Sequence, residues 1–142
     1  MLTKNFWKEY REGKGMYLDT DMILALTKKD DWLKPFVNLK KIKNPVISSA
    51  VLIELELVIN REYGKGKIDE FFKKLKDLKI KSEPITPDVV HKSPGLMKKY
   101  NMNTFDAIHA AYCITNKEDI LSSDTIFDSI KEIKRVDPRE LK

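Results

Sequence analysis

The acidic side chains of this chain fall in places where a carboxylate is awkward. Asp19 and Asp124 each follow a short apolar run, Met16-Tyr17-Leu18 and Ile120-Leu121, that reads as a β-strand. Asp106 opens a helical segment that is otherwise free of charge through Asn116, and Glu54 interrupts an apolar helix. Charges so placed need partners. In open parallel sheets ligands bind beyond the carboxyl ends of the strands, which puts Asp19 and Asp124 on one edge. Carboxylates gathered there would repel and raise one another's pKa unless a cation sits between them, and hard oxygen donors select Mg²⁺ or Mn²⁺.

Each residue also has a plainer reading. Asp19 is a preferred helix N-cap, and Asp106 stands three residues after Asn103, the spacing of a capping box. Asp124 and Asp128 suit the first turn of a short helix. His109, three residues after Asp106, and Cys113 read as packed core residues on a helix of small side chains. At about 100° per residue both Glu54 and Glu56 lie on the flanks of their helix's apolar stripe, so periodicity does not choose between them.

The elements that must hold these groups alternate between short apolar runs and helical patterns, the sign of βα units around a mostly parallel sheet of four or five strands. After the first strand a helix starts at Met22, and Asp30-Asp31 can cap another through Leu39 if Pro35 falls in its first turn. Val46-Ile47 is a strand, and Ser48 or Ser49 caps a helix through Tyr63 that Gly64 ends. That helix carries the stripe Val51, Leu52, Leu55, Val58 and Ile59, with Ile53 and Leu57 apolar on the opposite face, so both faces are expected to be covered. Ile68, Phe71, Phe72, Leu75 and Leu78 recur at helical spacing within Lys67 to Leu78. A strand within Lys79 to Ile85 leads to a helix capped by Thr86-Pro87 and running to Tyr100, interrupted at Ser93-Pro94-Gly95. Asn103 or Thr104 caps the central helix, Phe105 to Thr115. A brief helix over Ile126 to Ile130 and a last strand within Ile133 to Val136 complete the pattern.

The chain has 142 residues, enough for one core, with Lys and Arg totalling 27 against 22 acids and a net charge of +5, which favours an anionic partner such as nucleic acid. Residues 61 to 81 hold eight Lys or Arg and four acids. The longest uncharged stretches are ten residues, and a membrane-spanning helix needs about 20, so no membrane role is expected. The charged first 15 residues do not read as a secretory signal, which makes a cytoplasmic location the expectation. A single cysteine excludes an internal disulfide and a CxxC site.

Taken in order, Tyr17-Leu18-Asp19-Thr20-Asp21, Ile47-Ser48-Ser49-Ala50-Val51-Leu52-Ile53-Glu54-Leu55, Phe105-Asp106-Ala107-Ile108-His109-Ala110-Ala111 and Leu121-Ser122-Ser123-Asp124 with Phe127-Asp128 resemble the successive motifs of PIN-domain nucleases over residues 16 to 137. The resemblance implies a three-layer, flap-nuclease-like α/β fold in a domain spanning 16–142. It also implies a Mg²⁺ or Mn²⁺ site and hydrolysis of RNA phosphodiesters. It matches Asp19, Glu54, Asp106 and Asp124 to the family's acids, selects Glu54 over Glu56, and assigns Asp128 to a further, less regular acid. Ser122 matches the hydroxyl residue before the fourth acid, and Thr20 follows the first. Asp21 stands where Asn or Ser is common, as an indirect metal contact or a helix cap. Residues 1–15 form an extension longer than usual, in which Phe6, Trp7 and Tyr10 pack on the body or a partner unless Met16 is the initiator.

Small members of the family are often VapC-type toxins, which implies a protein antitoxin that inserts an arginine among the acids, and a homodimer. Ile53 and Leu57 would then lie either in the core or in that interface. Two other readings compete. Asp19-Thr20-Asp21 with Ser123-Asp124 also resembles a haloacid dehalogenase-like phosphatase, with Asp19 as nucleophile and Asp21 as general acid. A PIN domain that binds RNA without cleaving it is the other.

Overall fold

The computed structural model describes residues 15–141. The N-terminal extension, with Phe6, Trp7 and Tyr10, lies outside the described residues apart from Gly15. Ten regular elements follow in the order β1 (Met16–Leu18), α1 (Thr20–Thr27), β2 (Pro45–Ser48), α2 (Ser49–Tyr63), α3 (Ile68–Asp77), β3 (Lys81–Glu83), α4 (Pro87–Tyr100), α5 (Thr104–Asn116), β4 (Asp119–Leu121) and β5 (Arg135–Val136). The five strands form one parallel sheet in the order β3-β2-β1-β4-β5. Tyr17 pairs with Val46 on one side and Ile120 on the other, so β1 is central. The chain leaves β1 toward β2 and β3 and later returns to β4 and β5, which makes the β1/β4 boundary the switch point where such sheets bind ligands.

Burial explains the apolar runs. A parallel sheet is covered on both faces, and Tyr17, Leu18, Ile47, Ile120 and Leu121 are all buried. Ala107, Ala110 and Ala111 are fully buried on α5, where small side chains let the helix backbone approach its neighbours, and Cys113 lies among them. The caps follow the sequence closely: Ser48 accepts from Ala50 N at 3.2 Å, Thr86 from Val89 N at 3.4 Å and Asn103 from Asp106 N at 2.9 Å.

Three expectations need correction. The helix expected through Leu39 is replaced by two 3₁₀ turns, Lys34–Phe36 and Leu39–Lys41. Pro35 does fall in a first turn, but Asn38 turns extended and its side chain caps Lys40 N at 3.0 Å, so a local hydrogen bond ends the helix. The Ser93-Pro94-Gly95 stretch does not interrupt α4. Pro94 has no N–H for the carbonyl of Val90, and the Ser93 hydroxyl donates to that oxygen instead, at 2.7 Å. On α2 the second apolar face is not covered: Ile53 and Leu57 are 55% and 54% exposed, Ile53 at a groove between α2 and α3 that no other element fills among the described residues.

Candidate active site

Asp19 leaves the carboxyl end of β1 and is 6% exposed. Its Oδ1 accepts from Thr20 N at 2.8 Å, capping α1, and its Oδ2 accepts from the buried Ser122 hydroxyl at 2.6 Å. The Ser122 oxygen in turn accepts from Asp124 N at 3.0 Å, so the end of β4 is pinned to the end of β1. Asp21 does not cap the helix. Its Oδ2 accepts from the Ser123 N–H at 3.0 Å and hydroxyl at 2.5 Å, while its Oδ1 is buried with no hydrogen-bond partner among the described residues.

Glu54 comes from α2, one sheet position away. Its Oε1 accepts from the Thr20 hydroxyl and from His109 Nε2, the latter at 2.9 Å. His109 is fully buried on α5 one turn beyond Asp106, and its Nε2 also lies 3.8 Å from Asp19 Oδ1. The ring is a core residue, as its surroundings suggested, and equally a member of the acidic cluster. Its spacing of three from Asp106 was the available signal. Asp106 is half-buried at the start of α5, and Asp124 is exposed at the edge, capping the turn Thr125–Ser129 through Ile126 N at 3.0 Å.

The electrostatics record how close these acids come. Burial, then the charges of Asp19 and Asp124, push Asp106 up to about 6. Burial and Asp19 push Asp21 up to about 7. Asp19 is raised by burial and by Glu54, with His109, Ser122 and Thr20 pulling the other way. Burial also acts to raise Glu54, yet its bonds from His109 and Thr20 and the His109 charge hold it below the usual range. Burial opposes a charge on His109, but Glu54, Asp19 and Asp106 outweigh it and raise that pKa.

Asp19, Glu54 and His109 each offer an atom within 4.8 Å of the others. His109 Nε2 faces an acceptor-only carboxylate and must hold a proton there, so it has no lone pair for a metal; the oxygens do. Raised carboxylates and an unpartnered buried Oδ1 on Asp21 fit a hard divalent cation, which Asp19, Asp106 and Asp124 would hold with Glu54 beside them.

A family model described as the PIN domain matches residues 16–133. The chain belongs to this family. The PIN domain assignment displaces the phosphatase alternative, which also left Glu54 and Asp106 unused. Among solved structures, similar ones include the Mycobacterium tuberculosis toxin VapC20, described as cleaving the sarcin-ricin loop. It is 16% identical, with a TM-score of 0.68 over 80% of this chain and 93% of that one. VapBC2 from Rickettsia felis, bound to a promoter DNA fragment, is 16% identical with a TM-score of 0.65 over 85% and 96%. FitAcB from Neisseria gonorrhoeae is 17% identical with a TM-score of 0.64 over 89% and 99%. At these identities the likeness is one of fold. No curated protein matches the chain by sequence. No helix among the described residues is long and apolar enough to cross a membrane.

Two of the candidate acids of this PIN domain sit apart from the cluster. Glu56 is exposed and lines a groove between α2 and α3. Asp128, assigned to the metal from sequence, is instead gripped by Arg135, with Nε–Oδ1 at 2.8 Å and Nη2–Oδ2 at 3.1 Å. Its charged neighbours are Arg135 and Asp137. Asp128→Asn should therefore leave Mn²⁺ affinity, read by calorimetry, within about twofold of wild type. A tenfold loss would return Asp128 to the metal site.

Proposed function

We propose that this PIN domain is a Mg²⁺- or Mn²⁺-dependent endoribonuclease and the toxin of a VapBC-type toxin–antitoxin pair. The observation that carries the reading is the meeting of Asp19, Glu54 and His109 at the β1/β4 switch point, each offering an atom within 4.8 Å of the others, with Asp106 pushed up to about 6 by burial and then by the charges of Asp19 and Asp124. Asp19, Asp106 and Asp124 hold the cation, and Glu54, anchored on Oε1 by Thr20 and His109, orients the attacking water or holds the cation through water. Ser122 and Thr20 act as positioning residues through their bonds to Asp19 and Glu54. Asp21 supports the cluster from Ser123. When bound, a divalent cation lowers the pKa of water and offsets charge developing on the phosphate.

The lysines contribute less than their number suggests. Lys67 and Lys74 pair with Glu70 on α3, and Lys74 also donates to Thr27 O. Net charge still draws the chain to RNA, and unpaired loops are the substrate of choice because bases in an RNA duplex are hard to read. We assign the partner surface to the exposed Ile53 and Leu57 of α2, of which Ile53 lines an apolar groove of about 400 Å³ with Leu52, Phe72, Leu75 and Ile80. It serves a homodimer. The antitoxin meets the acidic site with an arginine, whose forked donors suit paired carboxylates.

The test is cleavage of single-stranded and hairpin RNA. Activity is expected with Mg²⁺ or Mn²⁺ and its loss in EDTA, with cuts confined to unpaired segments. Undiminished cleavage in EDTA would refute the metal-dependent mechanism, and hydrolysis of a phosphate monoester alone would refute the nuclease.

A further inference from the structure

A buried file of hydrogen bonds runs from β2 through β1 to the acidic site. Ser48 Oγ lies 2.7 Å from Tyr17 Oη, Tyr17 Oη lies 2.6 Å from His109 Nδ1, and His109 Nε2 lies 2.9 Å from Glu54 Oε1. Ser48, Tyr17 and His109 are all fully buried. The direction of the file follows from counting protons. An ionised carboxylate only accepts, so Nε2 carries the hydrogen of that contact. Ser48 Oγ already accepts from Ala50 N. If Ser48 donates to Tyr17 and Tyr17 donates to Nδ1, every proton has an acceptor and every bond is made. If Nδ1 also carried a hydrogen, Tyr17 would have to donate to Ser48. The hydroxyl proton of Ser48 would then have no acceptor among the described residues, an expensive state for a buried group.

Glu54 is the terminus of the file, and both of its protein donors land on Oε1. We propose that Tyr17 is a positioning residue for the site: its hydroxyl, held by Ser48, fixes His109 as the Nε2–H tautomer, which pins Glu54 by Oε1 and leaves Oε2 for the metal and its water. The tautomer of an imidazole beside a metal site is set by the bond its other nitrogen makes, and here that bond comes from a phenol. Tyr17 is suited to the task because strand β1 places it between β2, which supplies Ser48, and α5, which supplies His109, with its ring packed 4.9 Å from that of Tyr112. A phenylalanine would fill the same space and lack only the donor.

The proposal rests on the nuclease reading for its kinetic arm alone. Ring ¹⁵N shifts of the full chain in Mg²⁺ report the tautomers of its two histidines, and His91→Gln assigns the other signal. Wild-type His109 is expected as the Nε2–H form. In Tyr17→Phe the Nδ1 lone pair loses its donor, so the Nδ1 signal should move toward that of an unbonded ring nitrogen, Mg²⁺ should bind about tenfold more weakly, and kcat for RNA should fall about tenfold with KM within twofold. Tyr112→Phe, which removes a neighbouring hydroxyl outside the file, should change none of these. An Nδ1–H or doubly protonated His109 in the wild type would overturn the proposal without any variant, so it stays testable even if Tyr17→Phe fails to fold. A folded Tyr17→Phe with unaltered Nδ1 signal, affinity and kcat would overturn it as well. Absence of RNA cleavage by the wild type would refute the nuclease reading, and the tautomer and Mg²⁺ readouts would still decide the role of Tyr17.

Discussion

Asp19→Asn should reduce RNA cleavage by about 10² to 10³-fold or more, the scale of losing one group that stabilises the transition state at a preorganised site. The substitution keeps the shape of the side chain and one oxygen, which can serve the Thr20 N–H, while the amide nitrogen faces the Ser122 hydroxyl, which can turn to accept, so the main loss is one of charge. Because burial and Glu54 already disfavour the Asp19 carboxylate, removing its charge relieves repulsion in the metal-free fold. The melting temperature of the metal-free variant at pH 7.5 should therefore equal or exceed that of wild type. Added Mn²⁺ should stabilise the wild type and leave the variant unmoved, since a ligand stabilises only the state that binds it. Glu54→Gln should lose a comparable share of activity and Glu56→Gln almost none. Residual activity above a tenth of wild type in Asp19→Asn would remove this residue from the metal site.

The metal-free protein should lose stability as pH rises from 5 to 7.5. Asp106 and Asp21 titrate near 6 and 7 in the fold, well above the carboxylate value of 3.8 that they regain on unfolding. Between those limits the folded state holds more protons than the unfolded one, so stability is greatest below the unfolded value and falls as pH climbs through the folded one. In the metal-free fold His109 acts in the same sense, since its folded pKa is raised and its contribution fades as it deprotonates, whereas a cation beside Glu54 would hold the ring in the neutral form assigned above. The carboxylates held low, Glu54, Asp128 and Asp137, have ionised before this window opens and do not offset the trend. For Asp21, mostly buried, the shift corresponds to a few kcal/mol. Thermal melts in EDTA should show the decline, Mn²⁺ should stabilise more at pH 7.5 than at pH 5, and Asp21→Asn should flatten the slope while keeping most nuclease activity. A melting temperature that is level or rises across this range would show that the acids are not crowded.

Features that depend on near neighbours in the chain could be read without the fold. The caps at Ser48, Thr86 and Asn103 were legible because a side-chain oxygen and the N–H it serves lie two or three residues apart. The buried strands were legible because a parallel sheet covered on both faces needs unbroken apolar runs, and the motif order was enough to name the family that residues 16–133 match. Tertiary structure decided the rest. Helical angle left Glu54 and Glu56 equivalent and the motif resemblance favoured Glu54, but the physical reason lies in contacts from Thr20 on α1 and His109 on α5, which both reach Glu54. Asp128 kept the spacing of a ligand but not its place, because the return of β5 set Arg135 beside it. Ile53 and Leu57 looked like core and stand in the open for a similar reason. An apolar or charged side chain states only what it requires, and which group answers is settled by contacts between segments 34 to 92 residues apart, such as Thr20 with Glu54 and Tyr17 with His109, whose spacing no local pattern encodes.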